Sequence, residues 1–261
     1  MKNYTLITGC TSGIGKSLAY EFAKNNHNLI LVSRNIEKLN KLKEELICNF
    51  NVDIFVIAKD LSHKNAAKEI FDITSSENLN IDVLCNNAGV GLYGEFLEND
   101  INKINDLITI NINSLIELTY YYAGYFKNNN NGTIINIAST GAFVPGPFMA
   151  CYYASKAFVL SFSEAIAMEL RKYNVNVCCI CPGPTKTEFF DKSCDNKYNL
   201  LKNIKAMESD DVAKFIYKSY LKKKVVAIPG FKNKLAIFGN RLISRGLTRK
   251  ILYNIQSKRF K

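Results

Sequence analysis

The sequence lacks any long apolar run. Its longest uncharged stretch, Asn128 to Ser155, is interrupted by Asn, Gly, Pro, Ser and Thr, so it would not insert into a bilayer as a spanning segment. A secretory signal is also missing, because Met1-Lys2-Asn3 is followed at once by a strand-like run, Tyr4–Thr8. We therefore expect a cytoplasmic protein.

The composition is not that of a disordered, collagen-like or coiled-coil chain. Of the 261 residues, 48% are hydrophobic and 22% are charged, which is close to ordinary globular usage. This length can form one α/β domain with a sizeable core, and neither a linker nor an internal repeat divides it. We therefore expect residues 1–261 to form a single domain.

Acidic residues are absent from the last fifth of the chain. Residues 212–261 carry 14 Lys and Arg and no Asp or Glu, whereas residues 1–211 carry 20 Lys and Arg and all 23 acidic residues. The formal charge of +11 therefore originates in the C-terminal segment. Such a segment is either a solvated terminal face or a surface that attracts membrane lipid, a phosphorylated part of a substrate, or nucleic acid.

Metal-binding and redox patterns are missing too. The chain has eight cysteines, of which Cys178 and Cys181 have a CxxC spacing. A redox pair is expected at a helix N-terminus, and a zinc site needs a second pair of ligands, but this pair lies alone in an apolar strand-like run. We interpret these cysteines as reduced core residues and predict no metal site. The two histidines, His27 and His63, are isolated and are interpreted as surface or turn residues.

Short apolar runs alternate with longer amphipathic ones along the chain. The predicted strands are Tyr4–Thr8, Asn28–Ser33, Val52–Ala58, Ile81–Asn86, Thr133–Ala138, Val175–Cys181 and Val225–Ile228. The predicted helices are 13–25, 36–49, 64–75, 100–127, 154–173 and 210–222. This alternation predicts an α/β fold with a doubly wound parallel sheet and helices on both faces. The C-terminal extension, residues 230–261, has a helical pattern interrupted at Gly239 and Gly246.

A glycine-rich turn follows the first strand and opens the first helix. The segment Thr8–Gly15 reads Thr-Gly-Cys-Thr-Ser-Gly-Ile-Gly. Glycines at such a turn let backbone N–H groups approach a pyrophosphate, and the helix N-terminus favours its negative charge. The segment therefore predicts a dinucleotide site, the alternative being a tight turn without a ligand.

The end of the second strand indicates which dinucleotide is bound. An acidic residue there would bind both ribose hydroxyls and favour NAD, but the sequence has Ser33-Arg34-Asn35. A guanidinium can bind a 2′-phosphate, and the Ser33 hydroxyl can add a hydrogen bond. We therefore predict NADP(H) with Arg34 as the main selector, the alternative being a plain surface cation. Asp60 could accept from the adenine amino group, and Asn86–Gly89 ends the fourth strand at the mouth where such ligands lie.

Tyr152 and Lys156 form a candidate acid–base pair. They are spaced i, i+4 at the start of a helix and share one face, whereas Tyr153 points elsewhere. A nearby ammonium would lower the phenol pKa from about 10 toward the working range. Ser139 could orient the reacting oxygen, and Asn111 could hold a water that connects Lys156 to solvent. Taken singly, Tyr152 could instead be a core aromatic, Lys156 a surface cation and Asn111 a satisfied buried amide.

Together these residues resemble the short-chain dehydrogenase/reductase family, in its single-domain branch. The resemblance runs from about residue 3 to about residue 230. Its motifs occur in the family's order: Thr8–Gly15, Asp60, Asn86–Gly89, Asn111, Ser139, Tyr152 with Lys156, and Pro182–Thr187.

The resemblance implies a Rossmann-type sheet of seven parallel strands in the order 3-2-1-4-5-6-7, and hydride transfer between nicotinamide C4 and a carbonyl carbon. Tyr152 would protonate the oxygen, Ser139 would fix it, Lys156 would also bond the nicotinamide ribose, and Asn111 would complete a proton relay. The predicted cofactor-binding residues are Gly9, Thr11, Ser12, Gly13, Ile14, Gly15, Ser33, Arg34, Asp60, Leu61, Asn87, Ala88, Gly89, Tyr152, Lys156, Pro182, Gly183, Thr185 and Thr187. Some NADP enzymes of the family have a basic residue where this chain has Ser12, so the cofactor prediction rests mainly on Arg34.

The substrate is encoded more weakly. Residues 141–147 and the next helix resemble the branch of 3-oxoacyl and hydroxysteroid ketoreductases, which implies a hydrophobic ketone or a 3-oxoacyl compound. We expect residues 188–206 to form a substrate lid and, by resemblance, a homodimer or homotetramer packed through helices 100–127 and 154–173. The rival hypothesis is an NADP(H)-binding sensor or regulatory protein without chemistry. The complete set of Ser139, Tyr152 and Lys156 argues against it, because a sensor needs no proton donor.

The basic extension admits three interpretations. It interleaves apolar and basic residues over Lys234–Ile255. It could lie on an anionic bilayer with its apolar side down, cap the substrate pocket, or form a subunit interface. No aromatic–basic recognition module supports specific binding of nucleic acid.

Overall fold

The structure is a computed structural model that describes residues 2–189, 193 and 206–260. Its strands are β1 (Asn3–Thr8), β2 (Asn28–Ser33), β3 (Ile54–Ala58), β4 (Asn80–Asn86), β5 (Gly132–Ile137), β6 (Val175–Ile180) and β7 (Val226–Ala227). Its α-helices are α1 (Gly13–Lys24), α2 (Ile36–Asn49), α3 (Ala66–Ser76), α4 (Ile101–Ile108), α5 (Ser114–Asn128), α6 (Ala150–Leu170), α7 (Ser209–Leu221), α8 (Phe231–Asn240) and α9 (Arg245–Phe260).

The seven strands form one parallel sheet in the order β3-β2-β1-β4-β5-β6-β7. The predicted doubly wound Rossmann-type fold is therefore confirmed. The strand order reverses between β1 and β4, and ligands of such sheets bind in the crevice at the carboxyl ends of the strands at this point. Both the glycine turn after β1 and the Asn86–Gly89 segment after β4 lie at that edge.

Alternate residues of each central strand pack on opposite faces of the sheet, because side chains in a strand alternate in direction. In β2, Leu29 and Leu31 join a core cluster with α1, α2 and α7, whereas Ile30 and Val32 join a cluster with α3, α5 and α6. All four side chains are fully buried. Strands covered on both faces explain why the strand-like runs are apolar at nearly every position.

The predicted helix over 100–127 is interrupted. A π-helical turn, Thr109–Asn113, separates α4 from α5. The spacing of apolar residues did not reveal this turn. A π-helical turn holds one residue more than an α-helical turn, and the apolar residues on both sides of it are still buried. The turn contains Asn111, which the sequence analysis had assigned to the site.

The C-terminal extension forms two helices, but its break differs from the prediction. Gly239 lies inside α8 and Gly246 lies in the first turn of α9, whereas residues 241–244 separate the helices. Helix α6 also begins earlier than predicted, at Ala150. Most of the predicted lid, 188–206, lies outside the described residues. Within the part of the chain that the structure describes, no helix has both the length and the apolarity needed to cross a membrane.

His27 is a turn residue, as predicted, but it is not a surface group. Its ring packs edge-on against Phe22 and Tyr217, with ring centroids 5.0 and 5.8 Å apart. Nδ1 lies 3.1 Å from the Thr5 hydroxyl, and Nε2 lies 3.3 Å from the Tyr217 hydroxyl. Burial lowers the pKa of His27. By contrast, Cys178 and Cys181 are free, buried thiols, as the sequence predicted.

The helices assigned to an oligomer interface expose large apolar side chains. Tyr120 of α5 is 75% exposed and Met168 of α6 is 69% exposed. Such positions are compatible with a subunit interface, and the oligomeric state stays a prediction.

Candidate active site

A cleft of about 540 Å³ opens at the carboxyl ends of β1, β4 and β5. It brings together segments that are far apart in the sequence. The predicted site residues that line it are Gly9, Thr11, Ser12, Gly13, Ile14, Gly15, Ser33, Arg34, Asp60, Leu61, Asn87, Ala88, Gly89, Ser139, Tyr152, Lys156, Pro182, Gly183, Thr185 and Thr187. Asn111 is the one predicted site residue that lies behind the wall rather than in it.

The glycine turn forms a cradle that side chains would fill. Gly9 and Gly13 have φ angles of +64° and +51°, which L residues rarely adopt. A Cβ atom on Gly15 would overlap the carbonyl oxygen of Gly9. The N–H of Lys16 makes the first helical hydrogen bond, to Ser12, so the N–H groups of residues 13–15 have no acceptor within the helix. This arrangement fits a pyrophosphate.

The end of β4 is fastened to the glycine turn. Thr8 Oγ1 accepts hydrogen bonds from the backbone N–H groups of Asn87 and Ala88, at 3.1 and 3.0 Å. Asn87 Nδ2 donates to the carbonyl oxygens of Thr8 and Gly9, at 2.9 and 3.1 Å. These bonds hold the two strand ends at a fixed separation, so the cradle is formed before any ligand binds.

The edge beside β2 carries the predicted cofactor selector. The hydroxyls of Thr11 and Ser33 lie 2.9 Å apart. The side chain of Arg34 is 67% exposed, and its Nη1 lies 3.8 Å from Asp60 Oδ2. Asp60 Oδ1 accepts two hydrogen bonds of 2.9 Å from the N–H and hydroxyl of Ser62. Burial raises the pKa of Asp60, but these bonds and the Arg34 charge outweigh it and keep the pKa below its usual value.

The segment after β6 closes the opposite side of the cleft. Thr187 packs against Gly13, where an added Cβ would come within 2.8 Å of its methyl group. Thr185 Oγ1 donates to the carbonyl oxygen of Gly183 at 3.0 Å. Gly183 in turn lies against the side chain of Asn233 on α8. The predicted nicotinamide-binding segment therefore lines the cleft and contacts the glycine turn through Thr187.

Tyr152 and Ser139 meet at the centre of the cleft. Both side chains line the cleft, and Ser139 Oγ accepts from the N–H of Gly141 at 3.0 Å. Burial raises the pKa of Tyr152, and the nearby Ser139 hydroxyl lowers it only in part. The sequence analysis expected the opposite net direction, from the charge of Lys156. Desolvation of the phenolate is the largest influence on this pKa, and it acts in the upward direction.

Lys156 shares the helix face of Tyr152, as its spacing predicted. Its Nζ lies 5.9 Å from the centre of the Tyr152 ring and donates to the carbonyl oxygen of Ile137 at 2.8 Å. The residue is only 5% exposed. Burial lowers the pKa of Lys156 to about 8. The ammonium is therefore still mostly protonated at neutral pH.

Asn111 anchors the wall behind the reacting groups. Its Oδ1 accepts from the N–H of Val90 at 2.9 Å, and its Nδ2 donates to the carbonyl oxygen of Val90 at 2.9 Å and to Ser155 Oγ at 3.0 Å. These bonds position the end of β4 against α6, where Gly89 lies next to Lys156. The expected role of Asn111 in holding a water stays a prediction.

Several lining residues were not predicted. Tyr93 and Met149 form an apolar cluster beside Tyr152, with Phe189, whose ring centroid lies 5.1 Å from that of Tyr152. Gln256 of α9 also lines the cleft, and its Nε2 donates to the Tyr153 hydroxyl at 3.2 Å. Aromatic residues that follow strand ends could have suggested the cluster, but nothing in the sequence near Gln256 indicates the cleft. The structure thus agrees with the interpretation in which the extension caps the pocket.

Metal chemistry has no support within the described ranges. Across residues 2–189, 193 and 206–260, no group of three or more His, Cys, Asp and Glu side chains could hold a metal ion. The site consists instead of a phenol, a hydroxyl, an ammonium and a glycine cradle.

Comparison with known proteins gives matches over most of the chain. Residues 3–197 match the family described as short chain dehydrogenase. The 7beta-hydroxysteroid dehydrogenase of Clostridium sardiniense is 31% identical over 92% of this chain and 90% of its own. The very-long-chain 3-oxoacyl-CoA reductase of Vanderwaltozyma polyspora is 35% identical over 67% of this chain, but the match spans only 53% of that longer protein.

A solved structure supports the same assignment. The short-chain dehydrogenase from Sphingobium yanoikuyae, determined in complex with NADPH, superposes with a TM-score of 0.81. It is 30% identical, and the alignment covers 93% of this chain and 94% of that one.

Proposed function

The chain belongs to the short chain dehydrogenase family and is an oxidoreductase that uses a nicotinamide cofactor to act on CH–OH or C=O groups; we propose that it is an NADP(H)-dependent reductase of a hydrophobic ketone or 3-oxoacyl compound. The observation that carries the proposal is the convergence of Tyr152, Ser139 and Lys156 in the cleft that also contains the glycine cradle. A binding protein would need the cradle but not the proton donor.

Each polar side chain of the centre has a distinct task. When bound, the reduced nicotinamide supplies the hydride that the carbonyl carbon accepts. Ser139 donates a hydrogen bond to the carbonyl oxygen and orients it beside Tyr152. As the carbonyl double bond opens, Tyr152 gives its phenolic proton to that oxygen. Lys156, with its ammonium near the ring, stabilises the phenolate that remains.

The pKa directions suit an acid that acts in carbonyl reduction. A buried phenol whose pKa is raised is protonated at neutral pH, which is the form that such an acid needs. Lys156, with a pKa of about 8, is mostly protonated at the same pH.

Three features support NADP(H) as the cofactor. The end of β2 carries Arg34 rather than an acidic residue, and Arg34 is exposed enough to turn toward a 2′-phosphate. The Thr11 and Ser33 hydroxyls lie beside it as further donors. The similar Sphingobium yanoikuyae structure is a complex with NADPH.

The apolar wall supports a hydrophobic substrate. Tyr93, Met149 and Phe189 border the position of the reacting oxygen and offer it no charge. Such walls take up apolar bodies and leave orientation to a few polar groups. Two of the similar proteins are named for hydroxysteroid and very-long-chain 3-oxoacyl-CoA substrates, in which the steroid body and the acyl chain are large and apolar.

The experiment is a substrate panel followed by NADPH absorbance. We expect NADPH oxidation with bulky apolar ketones or 3-oxoacyl thioesters, slower oxidation with small polar ketones, and a preference for NADPH over NADH. Calorimetric titration with NADPH serves as the control for an intact cradle. Tight NADPH binding without oxidation by any carbonyl compound would contradict the proposal and favour a silent sensor.

A further inference from the structure

Helix α8 turns Asn233, Ile237 and Asn240 toward the protein, whereas its other large apolar side chains face solvent. Asn233 donates to the carbonyl oxygen of Pro229 at 2.8 Å. Asn240 donates to the carbonyl oxygen of Phe143 at 3.3 Å and accepts from the Thr248 hydroxyl at 2.8 Å. An ordinary surface helix places most of its large apolar side chains on the core, whereas in α8 Ile237 is buried and Phe231, Leu235 and Phe238 are exposed.

The outward side of α8 forms a continuous apolar stripe, which we name the outer stripe. Its members are Phe231, Leu235, Phe238 and Leu242, and they are 78%, 58%, 60% and 74% exposed. Spacings of four and three residues place Phe231, Leu235 and Phe238 on one side of the helix, and Leu242 lies in the turn that follows it. Single exposed apolar residues are normal, but four large ones in a row indicate a surface that binds something.

The charges around the outer stripe identify the kind of partner. Lys232, Lys234 and Arg241 flank it, and residues 212–261 contain 14 Lys and Arg and no acidic residue. A second copy of this chain would bring two such segments face to face, so like charges would repel. An apolar stripe bordered only by cations is complementary to a surface that is both apolar and anionic.

We propose that the outer stripe is a docking surface for a bilayer rich in anionic lipid. In this arrangement α8 lies in the plane of the interface with its apolar side chains among the acyl chains and its cations at the headgroups. With ten residues, α8 is too short to span, so the contact is peripheral. Because Asn233 on the opposite side of α8 packs against Gly183 in the cleft wall, docking holds the cleft about one helix diameter, roughly 10 Å, from the lipid.

The first experiment uses the absence of tryptophan from the chain. A Phe238→Trp variant of the full chain has a single reporter in the outer stripe. We expect its emission to shift to the blue on addition of vesicles of equal parts phosphatidylserine and phosphatidylcholine, and brominated acyl chains to quench it. The matched control is Leu97→Trp, at a position that is 92% exposed and lies outside the extension. Its emission should not change.

The second experiment separates the apolar and electrostatic contributions by vesicle sedimentation. Leu235→Ser/Phe238→Ser should weaken binding about tenfold for each side chain that leaves the interface. The control Leu97→Ser/Ile101→Ser removes two apolar residues that are more exposed, at 92% and 63%, and should bind like the wild type. Lys232→Glu/Lys234→Glu should weaken binding by at least about fivefold for each cation, and high salt should have the same effect. Lys38→Glu/Lys41→Glu is the charge-matched control.

Three outcomes would overturn the proposal. One is equal binding of the outer-stripe variant and the wild type, with unchanged circular dichroism and thermal unfolding in both. Another is equal binding to vesicles of phosphatidylcholine alone, which would remove the role of charge. The third is a dimer in light scattering that the outer-stripe variant breaks, which would assign the stripe to a second copy. None of these outcomes bears on the proposed enzymatic activity, because NADPH oxidation is measured without vesicles.

Discussion

The ammonium of Lys156 donates a 2.8 Å hydrogen bond to the carbonyl oxygen of Ile137, the last residue of β5. This bond anchors a buried cation to the edge of the sheet, next to the ring of Tyr152. Within the described part of the chain, no carboxylate forms an ion pair with it. Burial therefore lowers the pKa of Lys156 to about 8, and the nearby thiols of Cys179 and Cys181 offset this effect only in part.

The reduction rate should fall as Lys156 loses its proton. Below its pKa of about 8 the ammonium stabilises the phenolate of Tyr152, and above that pH the neutral amine does not. We expect kcat/KM for the ketone to be level at neutral pH and to decline through about pH 8. Lys156→Arg keeps the positive charge, so its residual activity should not show this decline. A wild-type profile that is level to pH 10 would contradict the assignment.

Replacing the phenol should abolish turnover but not cofactor binding. Tyr152→Phe removes the proton donor, so we expect kcat with NADPH and a ketone to fall at least about 100-fold. Affinity for NADPH, measured by calorimetry, should change little. The matched control is Tyr153→Phe, which removes only the hydroxyl that accepts from Gln256 and should keep most of the activity. Comparable losses in both variants would argue against Tyr152 as the acid.

Arg34 should determine the cofactor preference. Arg34→Asp removes the proposed partner of the 2′-phosphate and adds a carboxylate beside Asp60, 3.8 Å from the present guanidinium. We expect the Kd for NADPH to rise about 10- to 100-fold, as for the loss of charged hydrogen bonds. NADH should bind equally well or better. The control Lys38→Asp makes the same change in charge at a nearby exposed position. It should leave the ratio of the NADPH and NADH affinities unchanged.

His27 should make the fold sensitive to acid. Burial lowers its pKa below that of an exposed imidazole, so the unfolded chain binds a proton at a higher pH than the folded one. The neutral ring contributes its full stabilisation above the pKa that His27 has in the unfolded chain. This stabilisation is lost as the pH falls toward the pKa that His27 has in the folded protein. Urea unfolding should show that the free energy of unfolding falls less between about pH 7.5 and pH 5 for His27→Phe than for the wild type. The control is His63→Phe, at the exposed histidine. Its free energy of unfolding should fall over this pH range by as much as that of the wild type.

Local patterns predicted the sheet well. The predicted strand over 28–33 coincides with β2, and the other strand ends differ by one or two residues. The reason is that a buried parallel strand is a short run of apolar residues bounded by polar turns, and such a run is visible without knowledge of its neighbours. The helix over 100–127 was predicted less well, because the π turn at Thr109–Asn113 responds to the packing of Asn111 on Val90, which is a tertiary contact.

The glycine turn and the Tyr152–Lys156 pair could be predicted because their geometry is local. Positive φ angles at Gly9 and Gly13 and a shared helix face at i, i+4 follow from covalent geometry and helix pitch. Gln256 and Tyr93 could not be predicted, since each reaches the cleft only after distant elements have packed. The exposure of the outer stripe on α8 could not be predicted either, because the spacing of apolar residues does not show which side of a helix faces the protein.

The amino-acid sequence by itself determined the order of strands and helices, the glycine cradle and the proposed reacting side chains, since each depends on residues close together in the chain. Tertiary structure alone decided that α9 adds Gln256 to the cleft, that Asn111 is held by Val90, and that the pKa of Tyr152 rises instead of falling. These outcomes depend on the desolvation of each group and on its contacts. Both are set by all the neighbouring residues that folding brings together.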